Sequence, residues 1–552
     1  MSKINYVLII LVIFVFNGCS TKNKSIESAL ESITIDEMKD RISVLASDEF
    51  LGRLPATAGE EKTIRYLEEQ FKLTGLKPAS ADSYFQEVPL VKITADTASM
   101  KMNIRGGGKE LALKFFDDFA GGTPQVTESI NVDNSDIIFA GYGIIAPEFN
   151  WNDYEGLDVK GKTVLMLIND PGYASSDTSL FTGKAMTIYG RWTYKFEEAA
   201  RQGAAAAIII HETGAAAYPW AVVQNGWAGP DYSLEENYLS KSDLQFQGWV
   251  TTECAKKIFD SAGLDYDALI SSAAKPGFKP IVMNLKASIS FKNRFEFTKS
   301  KNVAALWPGS DRADEYIIYT SHWDHFGVFP AVNGDSIMNG AVDNATGTAA
   351  LIEIAEAFAS LPEKQDRSVL FLAVTCEEQG LLGSKFYAEN PLFPLNKTAA
   401  VINMDALNIF GKTNDMTIVG LGNSALDDFA VTVLKKYGRY ATADPTPEKG
   451  MYFRSDHFSF AQAGVPSLYL AKGIDDAEHG KEWGLAETDK WIMKNYHKPS
   501  DNYDPDTWKF DGMTDDIKIF FEVGYNLSMS DEFPNWKPGT PFKPLRDKMM
   551  KE

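Results

Sequence analysis

Histidine is scarce in this chain, six residues among 552, and cysteine is scarcer at three. So few cysteines exclude a fold built on disulfides. Lys and Arg number 54 against 75 Asp and Glu, a formal net charge of −21. Binding to a phosphate backbone needs clustered cations, so nucleic acid is excluded as a partner. No Gly-x-Ser-x-Gly lies at a strand-to-helix turn, which removes the usual serine-hydrolase elbow. Gly106-Gly107-Gly108 lacks a following Lys-Ser/Thr and Gly420-Leu421-Gly422 lacks a third glycine, so both read as turns rather than phosphate loops. What remains is ordinary globular material, 44% hydrophobic and 23% charged.

The apolar segment Tyr6 to Phe16, preceded by Lys3, is too short to span a bilayer and has the length of a signal-peptide core. It runs into Gly18-Cys19, which looks like a bacterial lipoprotein cleavage site, with Cys19 receiving lipid. The expectation is a signal over residues 1–19, a short flexible tether from Ser20 to Ser28, and a cell-envelope protein on the periplasmic face of the outer membrane. The membrane would be met only through this lipid anchor. Cys254 and Cys376 are then left as two free thiols.

Periodicity divides the rest. Thr34 is placed to cap a helix through Met38, Ile42 and Leu45, and a second helix spans Gly59 to Leu73 with Ile64, Leu67 and Phe71 on one face. From about 126 to 290 the texture changes to short strands rich in glycine, with a helix from Tyr194 to Gln202 leading into the apolar run Ala204 to Ile210. This predicts a smaller α/β unit inserted into a larger domain over 30–125 and 291–535, with a C-terminal tail at 536–552. Beyond 300, apolar strands alternate with helices. The predicted class is α/β, a mixed open sheet flanked by helices, in which sites assemble at the carboxyl ends of strands.

Chemistry-bearing residues follow those strands in order. His322-Trp323-Asp324-His325 ends Tyr316 to Tyr319, Asp343 opens a helix continuing through Ala350, Ile354 and Phe358, and Glu377-Glu378 ends Val369 to Val374. Asp405 ends Ala400 to Met404, and His497 follows Tyr496. Two imidazoles, three carboxylates and a spare glutamate are the inventory that holds two metal ions and activates one water.

These motifs, with Ser47-Asp48-Glu49-Phe50-Leu51-Gly52-Arg53, resemble the dizinc exopeptidases of metallopeptidase family twenty-eight, the bacterial secreted aminopeptidase type. The insert resembles the protease-associated domain of many members. The resemblance implies a zinc exopeptidase fold of the phosphorylase/hydrolase-like kind and two Zn2+ per chain. His322 and Asp405 would complete one site, Glu378 and His497 the other, and Asp343 would be shared. Glu377 would be the general base, Asp324 would hold the second nitrogen of His322, and Tyr496 would polarise the scissile carbonyl of a peptide substrate. Val342 departs mildly from the pattern, since many relatives carry an acid there. Arg454, in Arg454-Ser455-Asp456-His457, would either contact substrate or pair with Asp456. His325 and His457 are expected in supporting roles, His211 in packing and His479 in a solvated loop. The implied activity is removal of N-terminal residues. The alternatives are a carboxypeptidase of the same clan, which needs clustered arginines for a terminal carboxylate, and a non-catalytic binding protein like the transferrin receptor.

Overall fold

The computed structural model describes residues 20–175, 177–235, 243–332 and 334–551. The lipoprotein signal and Cys19 fall outside them. Among the described residues no helix is long and apolar enough to cross a membrane.

The larger unit is a mixed sheet. Its centre is four parallel strands, Arg367–Val374, Arg312–His322, Thr398–Asn403 and Ser467–Ala471, side by side in that order. The strands Arg367–Val374 and Thr398–Asn403 are buried along their whole length. That is why they read as continuous apolar runs without alternation. Helices Ile35–Leu45, Ala58–Leu73, Thr346–Ala359 and Phe510–Met529 supply the apolar layer against it, through residues such as Met38, Leu67, Ile354 and Phe521. The Thr34 hydroxyl caps the first of these by accepting the amide of Glu37. The α/β class read from the sequence is the one observed.

A single strand, Ile281–Trp307, passes from this sheet into a second one. The second sheet holds parallel neighbours Ser129–Phe139, Thr163–Leu167, Ala206–His211 and Phe246–Thr251, with apolar side chains on both faces. It begins earlier than the expected boundary at 126, with the hairpin Lys101–Gly106 and Lys109–Leu113. That hairpin is half exposed and carries Lys101, Arg105, Lys109 and Glu110, so it lacks the texture of a buried strand. Strand Asp231–Leu234 returns from the insert to pair with Phe85–Ala95 of the larger sheet. Strands Ile281–Trp307 and Asp231–Leu234 therefore both join the two units.

Other departures are local. Residues expected as a tether form the helix Ser20–Ser32, because Ile26, Ala29 and Ile33 recur at helical spacing and are buried. The C-terminal tail packs onto the larger unit: Trp536 donates to the Gly464 carbonyl, and buried Arg546 donates to the carbonyls of Leu395 and Thr398. Cys254 and Cys376 are buried free thiols.

Candidate metal centre

Parallel strands bring the candidate ligands to one edge. His322 is the last residue of its strand, Glu377 and Glu378 lie just past Val374, and Asp405 lies just past Asn403. Asp343 sits in the tight turn Ala341–Ala345 ahead of the helix Thr346–Ala359, so the helix starts three residues after it rather than at it. His497 follows the helix Lys481–Asn495. Three backbone positions here are left-handed without being glycine: Cys376 before Glu377, Ala406 after Asp405, and His497 itself, at φ +53°, +54° and +52°. Each such residue costs about 1–3 kcal/mol and persists only where its surroundings hold it.

The donor atoms converge. His322 Nε2 is 3.3 Å from Asp343 Oδ1 and 3.3 Å from Asp405 Oδ1. His497 Nε2 is 3.2 Å from Asp343 Oδ2 and 3.0 Å from Glu378 Oε2. Asp343 thus turns one oxygen to each histidine. A tetrahedral zinc with bonds of about 2.0–2.1 Å has donor–donor edges of about 3.3 Å. These separations and this nitrogen and carboxylate set fit such an ion. Asp343, buried, would have its pKa raised by burial, but hydrogen bonds from His322 and His497 hold it well below the carboxylate range.

Supporting groups fix the candidate ligands. His325 Nδ1 lies 2.5 Å from Glu378 Oε1, and Ser455 donates to Asp405 Oδ2 at 2.6 Å. Asp501 accepts the amides of Val342 and Asp343 at 3.0 and 3.1 Å. Val342, the departure from the family pattern, thus serves through its backbone. Arg53, closing the Ser47 to Arg53 segment, is fully buried and donates to the carbonyls of Leu45, Trp323, Asn339 and Gly340 at 2.6 to 2.9 Å. It therefore grips the chain beside His322 and ahead of Asp343. Arg53→Ala should orphan these carbonyls, cost at least about 3 kcal/mol, and weaken metal retention. A denaturation midpoint equal to that of the wild type would contradict this role.

Glu377 is different from the candidate ligands. Among the described residues it accepts no hydrogen bond through its carboxylate, its Oε2 is 3.9 Å from His322 Nε2, and it faces a cavity of about 340 Å3. Burial, opposed by His322 but reinforced by Glu378, Asp405 and Asp456, raises its pKa well above the usual value. Tyr496 stacks on His497 with ring centroids 3.8 Å apart and lines the same cavity. Burial, together with Asp343 and Glu378, raises its pKa well above 10, so its hydroxyl remains a donor.

Asp324 stands apart from its expected role. His322 Nδ1 lies 3.2 Å from the Asp324 backbone carbonyl and 3.8 Å from its carboxylate, which instead accepts the Glu377 amide at 3.1 Å. Arg454 makes no ion pair with Asp456. Its Nη2 donates to the Ala216 carbonyl of the insert at 2.8 Å, and its guanidinium lies 5.2 Å from the Tyr218 ring centre. The insert adds Arg191 to the cavity wall, a residue the sequence reading passed over. Burial and the neighbouring Arg454 lower its pKa to about 10. His211 packs among Tyr218, Trp220 and Trp249, and His457 lies between the rings of Tyr452 and Tyr469. His479 pairs with Asp476.

Comparison with known proteins agrees with this edge of the sheet. The chain is 35% identical to mouse aminopeptidase NAALADL1 over 249 residues, 42% of this chain and 31% of that protein. It is 24% identical to aminopeptidase YwaD of Bacillus subtilis over 222 residues, 39% of this chain and 42% of that one. The matched stretch is thus less than half of either relative. An aminopeptidase from Aneurinibacillus sp. strain AM-1 shares the fold with a TM-score of 0.54 at 19% identity, covering 93% of this chain and 97% of that structure. Residues 302–519, which contain all five candidate ligands and Glu377, match peptidase family M28.

Proposed function

We propose that the protein is a dizinc aminopeptidase that hydrolyses the first peptide bond of substrates with a free amino terminus. The observation that carries this reading is the pairing of two His–carboxylate clusters through Asp343, with the unbonded carboxylate of Glu377 beside them on the cavity floor. His322, Asp405 and Asp343 would hold one ion, and Glu378, His497 and Asp343 the other. Bound there, zinc supplies Lewis acidity to the scissile carbonyl and makes water easier to deprotonate.

The chain's own residues do the rest. Glu377 takes a proton from the attacking water and returns it to the departing amine. The Tyr496 hydroxyl donates to the carbonyl oxygen as negative charge grows there. Asp324 holds the backbone of Glu377 in place. Apolar and aromatic residues of both units, among them Trp192, Tyr218, Trp227, Phe326 and Trp491, enclose the substrate and keep bulk water out. The insert, proposed to be a protease-associated domain, acts as one wall and restricts access to peptide ends.

Matched peptides with free and acetylated N-termini test the reaction. Stepwise loss of residues from the free peptides alone is expected, because the acidic site attracts an ammonium group that acetylation removes. Intact free peptides after incubation with metal-loaded protein would defeat the proposal.

One observation favours the carboxypeptidase alternative. Arg191 and Arg454 share the cavity wall, and neither has an acidic partner among the described residues. Release of C-terminal residues from the acetylated peptides would establish that second reading.

The envelope location is part of the same proposal and rests on Gly18-Cys19 after the apolar segment. Cys19→Ala should move the protein from the membrane to the soluble fraction; unchanged membrane association would refute the anchor.

A further inference from the structure

One side chain of the insert hydrogen-bonds the backbone of a candidate metal ligand. Asn225, on the short helix Trp220–Gly226, donates its Nδ2 to the backbone carbonyl of His497 at 2.7 Å. His497 is in a left-handed backbone conformation, and among the described residues no backbone amide donates to its carbonyl. The residue before it, Tyr496, packs into the insert's apolar cluster with Tyr218, Val222 and Trp249. Further along, Asp501 holds the Val342 and Asp343 amides. The segment from Tyr496 to Asp501 is therefore a strap, anchored at one end on the turn that carries Asp343 and at the other on the insert.

We infer that Asn225 is a positioning residue for His497, and that the insert is by this contact a working part of the metal centre as well as its wall. The physical reason is leverage. An unsupported left-handed histidine relaxes toward ordinary backbone angles, and rotation about its φ swings Nε2 away from Glu378 and Asp343. A hydrogen bond to the carbonyl resists that rotation. Outer partners of metal ligands are typically worth about 10–100-fold in metal affinity. This inference rests on the metal-centre reading given above.

The same helix provides a matched control. Gln224, adjacent to Asn225, donates to the Phe116 carbonyl at 2.8 Å, a bond of the same kind that stays inside the insert. Full-length wild type, Asn225→Ala, Asn225→Leu and Gln224→Ala would be stripped with chelator and titrated with zinc against a fluorescent competitor, without substrate. Asn225→Leu fills much of the lost volume without a donor, so it separates the hydrogen bond from a cavity effect. Both Asn225 variants should bind one zinc equivalent about 10–100-fold more weakly and keep the other as in the wild type. Gln224→Ala should keep both. Asn225 variants that bind both equivalents as the wild type does, or a Gln224→Ala that loses as much, would overturn the inference while leaving the metal centre standing. A wild type that binds no zinc would remove the metal-centre reading and this inference together.

Discussion

Glu377→Gln should retain both metals and bind substrate normally while turnover falls by about a hundredfold or more, the usual scale of a lost general base. Glu378→Ala, one residue away, should instead lose metal. The two glutamates differ in their surroundings. Glu378 is enclosed by His325 at 2.5 Å and His497 at 3.0 Å, so each of its oxygens has a fixed partner. Glu377 has no such partner and opens to the cavity. Glutamine keeps its size and hydrogen-bonding shape and removes only proton affinity. Metal content by elemental analysis, with single-turnover rates on a free-amino peptide, separates the two outcomes. Equal metal loss in both variants would show that base and ligand have been exchanged.

Asp343→Ala should have the largest effect of any single substitution at the site, removing both metals and all hydrolysis above background. Its two oxygens are 3.3 and 3.2 Å from the nitrogens of His322 and His497, so it is common to both clusters. Its backbone amide is already held by Asp501, which allows the turn to survive loss of the carboxylate. The variant should therefore fold, and circular dichroism with a thermal scan would verify that. A folded Asp343→Ala protein retaining one tightly bound metal would show that the carboxylate is not shared.

Much of the fold was legible because its central strands are buried on both faces and its helices on one, which leaves continuous apolar runs and 3.6-residue periods in the chain. The edges were harder. The hairpin Lys101 to Leu113 belongs to the second sheet, yet its charged, half-exposed strands resemble a loop. The helix Ser20–Ser32 looks like a polar tether until Ile26 and Ala29 are seen to be buried.

The candidate site divides in the same way. Five of the six candidate ligand and base residues end or follow an apolar strand or precede a helix, so local pattern points to them; the sixth, His497, comes just after the helix Lys481–Asn495. The residues that orient them do not announce themselves. Asp324 was expected on the His322 ring but holds the Glu377 amide, because its carboxylate points across to the neighbouring strand end. Arg454 stands two residues from Asp456 in the sequence, yet its partner is the Ala216 carbonyl of another unit. Arg191 and Asn225 reach the cavity and the His497 carbonyl only after the insert has folded back, across separations no periodicity encodes.

The most direct test of the central claim is a zinc titration of the chelator-stripped protein, following bound metal and hydrolysis of a free-amino peptide in the same samples. The account predicts that about two equivalents bind per chain, as a bridged pair demands, and that hydrolysis reaches its maximum as the second is bound. Saturation at one equivalent with full activity, or full activity with no metal at all, would contradict it.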